Sequence, residues 1–222
     1  MVDALASVEL TIQRWVNQEW HTPLLDAVMP LFSSVTLLWV VLAACLVLLL
    51  WHCFSKFRRS DERLQQLRGL FCAFLLLGGS VAATESVSFV TKHVTSRLRP
   101  FQEQAGTRYI SKGKWVRREE DTPRPDKQGS SFVSAHAANT MALANALAYL
   151  YPPAKPLVYA LPLSVGYSRV YLGRHYPKDV LIGWILGWVF SSVVCNAFGR
   201  LIMFNGLPGR SRGLARAQAG LN

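Results

Sequence analysis

Cysteine patterning, a basic-then-apolar run among its first residues and dispersed charge are what this sequence has little of. Its four cysteines, Cys45, Cys53, Cys72 and Cys195, show no paired ligand spacing. That excludes a zinc site or a disulfide framework as the organising device and leaves packing as their use. No basic region followed by a short apolar run stands at the N-terminus, so no secretory signal peptide is expected and insertion must rely on internal spans. Only 17% of the 222 residues are charged, against 51% hydrophobic. That balance alone would suit one soluble domain, but the apolar residues are gathered into long uncharged blocks, the pattern of membrane spans.

The clearest block runs from Val28 to about Trp51, uncharged after Asp26 and long enough to cross a hydrocarbon core of roughly 30 Å. A second runs from about Leu70 to Val90 with one carboxylate, Glu85, and a last from Val180 to Phe204 without charge until Arg200. Between them, stretches from Ser134 and from Leu157 are shorter, Ala-rich and partly polar. Such helices suit the inside of a bundle, where small residues allow close contact. Residues 1–27 read as an amphipathic helix, with Leu5, Val8, Ile12, Val16 and Trp20 at helical spacing and Glu9, Arg14 and Glu19 interrupting. It is expected to lie in the membrane interface, with a sixth span as the alternative. The expected fold class is all-α: an integral membrane helical bundle of about five transmembrane helices plus the N-terminal interfacial helix. Its parts are residues 1–27, a transmembrane domain 28–204 that includes an extramembrane loop 91–133, and a basic tail 205–222.

Positive charge follows the first span at Lys56, Arg58, Arg59, Arg63 and Arg68 and returns in the tail at Arg200, Arg210, Arg212 and Arg216. With five spans both clusters fall on one side, which the positive-inside bias marks as cytoplasmic. Loop 91–133 is basic too, but several of its cations have a second use, holding phosphate, and the loop is therefore placed outside. The net charge of +11 could point to nucleic acid. The spans and the lack of any recognisable nucleic-acid module argue against that partner.

Three constellations carry chemistry. The first is KHVTSRLRP, with Lys92 and Arg99 seven residues apart and Glu85 seven residues earlier. Seven residues make about two helical turns, so a persisting helix would align all three, and Pro100 would end it. Two cations at a membrane surface can grip a phosphoryl group, Arg as a planar fork and Lys as a point charge; unspecific headgroup attraction is the plainer alternative. Glu85, ionisable within a span, is expected to pair with Lys92. The second is GSSFVSAHAAN, with Ser134 and His136 at the start of a helix whose free N–H groups suit an anion. Ser134 can donate to a phosphate oxygen and His136 can protonate a departing one, although a capping serine beside an interfacial histidine would look the same. The third is SRVYLGRHYPKD, holding Ser168, Arg169, His175 and Asp179. With Pro177 starting a helix, Asp179 is expected to reach one ring nitrogen of His175 and leave the other free, the logic of a paired acid and base. Arg169 adds a third cation.

In order and internal spacing, K-x6-R-P, S-x-H and S-R-x5-H-x3-D resemble the signature of the type 2 phosphatidic acid phosphatase superfamily, over about Glu85 to Trp184. The resemblance implies that Lys92, Arg99, Ser134, Ala135 and Arg169 bind phosphate, with Glu85 and Ser168 in support. It further implies that His175 attacks phosphorus to form a phosphohistidine, Asp179 orients it, and His136 protonates the leaving group. One departure stands out: the second motif usually reads P-S-G-H and here reads Val133, Ser134, Ala135, His136. The added methyl of Ala135 sits where glycine lets a backbone N–H approach phosphate.

No cofactor or metal is expected, because acids other than Glu85 and Asp179 are missing near the membrane site and hard cations need several oxygen ligands. The resemblance implies a lipid phosphatase in a bacterial inner membrane with its site facing the periplasm or outside, acting first of all on undecaprenyl diphosphate. Phosphatidylglycerophosphate, phosphatidic acid and lipid A are rival substrates. A lipid phosphotransferase and a non-catalytic lipid-phosphate binder are rival classes. The expected partners are the bilayer and a lipid phosphate or diphosphate; oligomeric state is left open.

Overall fold

The computed structural model describes residues 2–34, 47, 51, 60–123 and 130–204. Most of the expected first span, Val28 to Trp51, and the 205–222 tail lie outside the described residues. Helix α1 is Val2–Arg14, extended by a π-helical turn Trp15–Glu19; α2 is Pro23–Phe32; α3 is Ser60–Val94; α4 is the short Pro100–Glu103. Strands β1 (Arg108–Ser111) and β2 (Lys114–Arg117) follow, then α5 (Ala135–Leu150), α6 (Lys155–Tyr171) and α7 (Pro177–Phe204). The fold is mostly helical, as expected, with one antiparallel hairpin inside the 91–133 loop that pairs Tyr109 with Val116.

Local signals set several boundaries. Thr22 caps α2 by accepting from the Leu25 N–H at 3.2 Å, and Pro23 fills a first-turn position where an N–H has no helical partner anyway. Helix α3 ends at Val94, and residues 95–99 run without helix up to Pro100. Arg99 is extended at φ −82° and ψ 155°, as the ring of a following proline requires. Lys92 and Arg99 therefore do not share one helical face, and the alignment expected from their spacing is replaced by an irregular, non-helical segment.

Helix α5 is the axis of the bundle, packed against α3, α6 and α7. Its alanines at 137, 138, 142, 144, 146 and 148 are buried, and α7 meets them with glycine. A Cβ at Gly183 would lie 2.7 Å from the Ser134 carbonyl oxygen, and one at Gly187 only 2.2 Å from that of Ala138. Backbones come this close only where side chains are missing, the small-residue packing of membrane helices. Two cores frame the axis. At one end Val16, Met29, Ala137, Val170, Tyr171 and Val180 cluster; at the other, Leu76, Ala146 and Cys195.

Outward faces of α3 and α7 carry Phe71, Phe74, Leu75, Phe89, Leu181, Ile185 and Val193, all exposed. Leu67–Val94 and Pro177–Phe198 are long and apolar enough to cross a membrane. Just 17% and 28% of their apolar windows are buried within the fold, which suits helices solvated by lipid better than the core of a soluble protein. Helices α5 and α6, of 16 and 17 residues, rise about 24–26 Å at 1.5 Å per residue; α5 is buried along its length, whereas α6 is buried in its C-terminal half and leaves Leu157 and Leu163 exposed among the described residues.

Helix α1 docks by its polar side. Gln13 and Asn17 are buried and bond the carbonyls of Val170 and Tyr171 at 3.3 and 2.6 Å, while Val8, Ile12, Trp15 and Trp20 face outward. Of the apolar stripe read from the sequence, Val8, Ile12 and Trp20 are thus turned away from the protein and Val16 is buried against it.

Replacing Gly187 by leucine should force α5 and α7 apart and destabilise the fold by about 1–3 kcal/mol, the usual cost of overpacking. Gly78→Ala, with nothing within 4 Å of the added methyl, should change stability by no more than about 1 kcal/mol. Thermal unfolding of both variants in detergent checks the pair.

Candidate functional site

The S-R-x5-H-x3-D stretch forms one tight turn. Helix α6 stops at Tyr171, and Gly173 adopts a positive φ of 64° at a place where a Cβ would lie 2.6 Å from Thr107 and 2.9 Å from the Arg108 carbonyl. Only glycine meets both demands easily. The N–H groups of Arg174 and His175 then fold back onto the carbonyl of Arg169 at 3.0 and 3.2 Å. Pro177 opens α7, as expected, and Asp179 lies in its first turn.

His175 is buried, and its Nδ1 lies 2.7 Å from the carbonyl oxygen of Ser131. A carbonyl can only accept, so Nδ1 carries the proton and Nε2 presents the lone pair. Asp179 does not make that bond. Its nearer oxygen is 3.9 Å from Nδ1, too far for a hydrogen bond. This corrects the direct pairing expected from the i, i+4 spacing. The Asp179 carboxylate is committed elsewhere: Oδ2 accepts from Ser131 Oγ at 2.6 Å and from the Tyr176 N–H at 2.9 Å, and Oδ1 accepts from Arg97 at 2.7 Å. A first-turn carboxylate that satisfies backbone donors next to a helix N-terminus is already in its favoured place. It therefore reaches His175 through Ser131.

The structure brings the separated motifs to one end of the bundle. His175 lies within electrostatic reach of Arg169, Arg99 and His136, and His136 within reach of Arg169, Lys92 and Arg99. Burial, then Arg169 and Arg99, hold the His175 imidazole well below its usual pKa of 6.5. Arg99 is lowered from its ordinary value by burial and then by Arg174, whose own pKa burial lowers. Arg174, which was not among the expected site residues, is thus part of the positive cluster. Its guanidinium sits over the Phe101 ring at 5.0 Å.

Two donors in this cluster stand out. The Nε atoms of Arg99 and Arg169 are buried and have no hydrogen-bond partner among the described residues. A buried, unpaired charged donor is costly, and an anion between these side chains would relieve both donors and the mutual repulsion of the cations. Arg169 also bonds Ser33 at the end of α2.

The remaining expected residues divide. Ser134 caps α5: its Oγ accepts from the Ala137 N–H at 3.5 Å, which leaves the hydroxyl hydrogen free to donate. Ala135 opens the helix, where first-turn N–H groups suit an anion. Ser168 turns inward and bonds the carbonyl of Val165 at 2.7 Å, so its role is within α6. Glu85 accepts a hydrogen bond from Asn139 on α5. It lies within electrostatic reach of Lys92, but its hydrogen bond goes to an amide rather than to that ammonium.

Arg97 and Ser131 went unassigned in the sequence. Arg97 stands inside the first motif two residues before Arg99, and Ser131 in the Gly-Ser run before Ser134. Those positions were the available signal, and nothing in them specified a bond to Asp179.

The PAP2 superfamily pattern matches residues 73–203, more than half the sequence, and the chain belongs to that superfamily. Lipid A 4'-phosphatase of Bacteroides thetaiotaomicron is 31% identical over 96 residues, 40% of this chain and 43% of that protein. Undecaprenyl-diphosphatase of Sulfolobus acidocaldarius is 33% identical over 113 residues, 50% of this chain and 48% of that one. The chain thus spans about half the length of these curated relatives. The crystal structure of a transmembrane PAP2-type phosphatidylglycerolphosphate phosphatase from Bacillus subtilis superposes with a TM-score of 0.56 at 20% identity, covering 89% of this chain and 87% of that one. That likeness establishes a common fold.

The depressed His175 pKa has a signed consequence. Below about pH 6.5 the unfolded chain takes up a proton at this residue that the folded chain refuses, so stability is present above that pH and is lost as pH falls. Between pH 7 and 5 the unfolding temperature of the wild type should drop more steeply than that of His175→Gln. Parallel slopes would show that His175 is not held neutral by burial.

Proposed function

We propose that the chain is a membrane lipid phosphatase in which Lys92, Arg99, Ser134, Arg169 and the N–H groups at Ala135 hold a phosphoryl group and His175 attacks it. The observation that carries this reading is the pair of unpartnered buried Nε donors on Arg99 and Arg169 beside a histidine whose Nε2 lone pair is free. Nε2 of His175 forms a bond to phosphorus as the bond from phosphorus to the leaving oxygen breaks. His136 delivers the proton that oxygen needs. Water then attacks the phosphohistidine, His136 takes the water proton, and phosphate leaves with Nε2 restored. Fixed cations stabilise the charge on the equatorial oxygens throughout. With Nδ1 bonded to Ser131, attack generates an imidazolium-like ring whose positive charge lies 3.9 Å from Asp179, close enough for useful stabilisation without a proton transfer.

The substrate proposed first is undecaprenyl diphosphate, supported by the 33% identity to the Sulfolobus acidocaldarius undecaprenyl-diphosphatase. A lipid A phosphate is the second reading, supported by the Bacteroides thetaiotaomicron relative. In either case the headgroup enters from the end of the bundle that bears the 91–133 loop. That end is proposed to face the periplasm or outside of a bacterial inner membrane, opposite the basic 53–68 link.

The test is release of inorganic phosphate from undecaprenyl diphosphate, lipid A, phosphatidylglycerophosphate and phosphatidic acid by purified protein in detergent. His175→Ala should abolish release, and Asp179→Asn should lower kcat by about a hundredfold or more, through loss of orientation and charge. EDTA should leave the rate unchanged, and vanadate, which adopts a five-coordinate geometry, should inhibit. Turnover by His175→Ala would sink the nucleophile, and EDTA inhibition reversed by magnesium would sink the metal-free mechanism.

A further inference from the structure

The hydrogen bonds that hold the proposed nucleophile continue past Asp179 to a part of the molecule outside the three motifs. One Arg97 terminal nitrogen donates to Asp179 Oδ1 at 2.7 Å, and the other donates to Glu9 Oε2 on α1, also at 2.7 Å. The guanidinium is fixed as well from its face, 4.0 Å over the Tyr176 ring. Arg97 also holds Ser131 twice. Its backbone carbonyl accepts from the Ser131 N–H at 2.8 Å, and its side chain grips the carboxylate that accepts from Ser131 Oγ at 2.6 Å. Ser131 in turn supplies the carbonyl that orients His175.

Glu9 is not a roaming surface carboxylate. Its side chain is 13% exposed, Arg97 is 30% exposed and Asp179 is fully buried. Its other oxygen accepts from the Lys178 N–H at 3.3 Å, beside Asp179. The register of α1 is pinned about one and two turns further on, by Gln13 to the Val170 carbonyl and by Asn17 to Tyr171 and Arg108. Removing Glu9 leaves Arg97 with one carboxylate instead of two. The guanidinium can then rotate off Asp179, and the loss reaches Ser131 and His175 without any change in the groups that bind the anion.

We propose that Glu9 and Arg97 are positioning residues for the reaction, and that α1 is a working part of the site through the chain Glu9–Arg97–Asp179–Ser131–His175. The proposal rests on the reading of His175 as nucleophile. Because the chain touches the attacking ring and not the phosphate, its loss slows chemistry and spares binding.

The experiment measures kcat, KM and unfolding temperature for the full chain in detergent, with undecaprenyl diphosphate as substrate, or phosphatidic acid if that alone is turned over. Glu9→Gln and Arg97→Gln should each lower kcat about tenfold or more with KM within about twofold, the split expected of an interaction that acts in the transition state. Glu9→Gln in the Arg97→Gln background should add less than about a further twofold, because the two act as one unit. Gln13→Ala, which loosens α1 without touching the chain, should keep kcat within about twofold of wild type. The proposal is overturned if the two effects multiply, if kcat is unchanged in Glu9→Gln, or if activity falls in step with unfolding temperature in all variants, Gln13→Ala included. Turnover by His175→Ala is a separate outcome: it removes the nucleophile and this proposal together, whereas wild-type kinetics in Glu9→Gln with an inactive His175→Ala removes this proposal alone.

Discussion

The carboxylate of Asp179 is fully buried, and its two oxygens accept from three segments of chain that are far apart in sequence. Arg97 comes from the irregular segment after α3, Ser131 from the segment leading into α5, and the Tyr176 N–H from the turn after α6. The Asp179 carbonyl also accepts from the Ser134 N–H at 3.1 Å. Losing one donor would leave a buried charge under-compensated, a far larger penalty than the loss of a surface pair. The arrangement is therefore close to all-or-none. Where Asp179 is satisfied, the ends of α3, α5 and α6 are held together, and the cations each of them carries are held together too.

That constraint explains how a cluster of like charges persists. Lys92, Arg99, Arg169 and Arg174 crowd together; Glu85 offsets Lys92 and Asp179 offsets Arg99 only at a distance, while the direct ion pairs of Asp179 and Glu9 go to Arg97 and that of Asp26 goes to Arg108. Packing supplies the opposing force. The glycines of α7 let α5 approach to backbone contact, and the buried alanines of α5 close the gap. The positive field is left available to a phosphoryl group. His175, kept neutral by the same burial and the same arginines, presents its free nitrogen to that group.

Much of this was legible in the sequence, for stated reasons. Apolar blocks gave the helices α3 and α7, and Pro177 gave the start of α7. The resemblance carried by the three motifs implied that Lys92, Arg99, His136, Arg169 and His175 belong to one site, and the fold sets the three cations within electrostatic reach of His136 or His175. What stayed hidden was the wiring. Glu9 and Arg97 are 88 positions apart, and no local pattern encodes such a pair. The partner of His175 is a backbone carbonyl, and every residue has one. Spacing suggested that Asp179 would meet His175 directly, but the helix-start geometry gave its oxygens nearer donors. In α1 the apolar stripe was visible, but its meaning was reversed, since in a membrane chain the polar face can be the one that docks. The hairpin of the 91–133 loop was equally hidden.

The central claim is that His175 becomes covalently phosphorylated during turnover. The direct measurement is rapid quench of the protein with a lipid substrate labelled at the reacting phosphate, followed by digestion and mass spectrometry under the alkaline conditions in which phosphohistidine survives. Label is expected on the peptide bearing residue 175, attached to an imidazole nitrogen and discharged on further incubation. Label on His136, or substrate consumed at full rate with no phosphorylated residue trapped at any time, would contradict it.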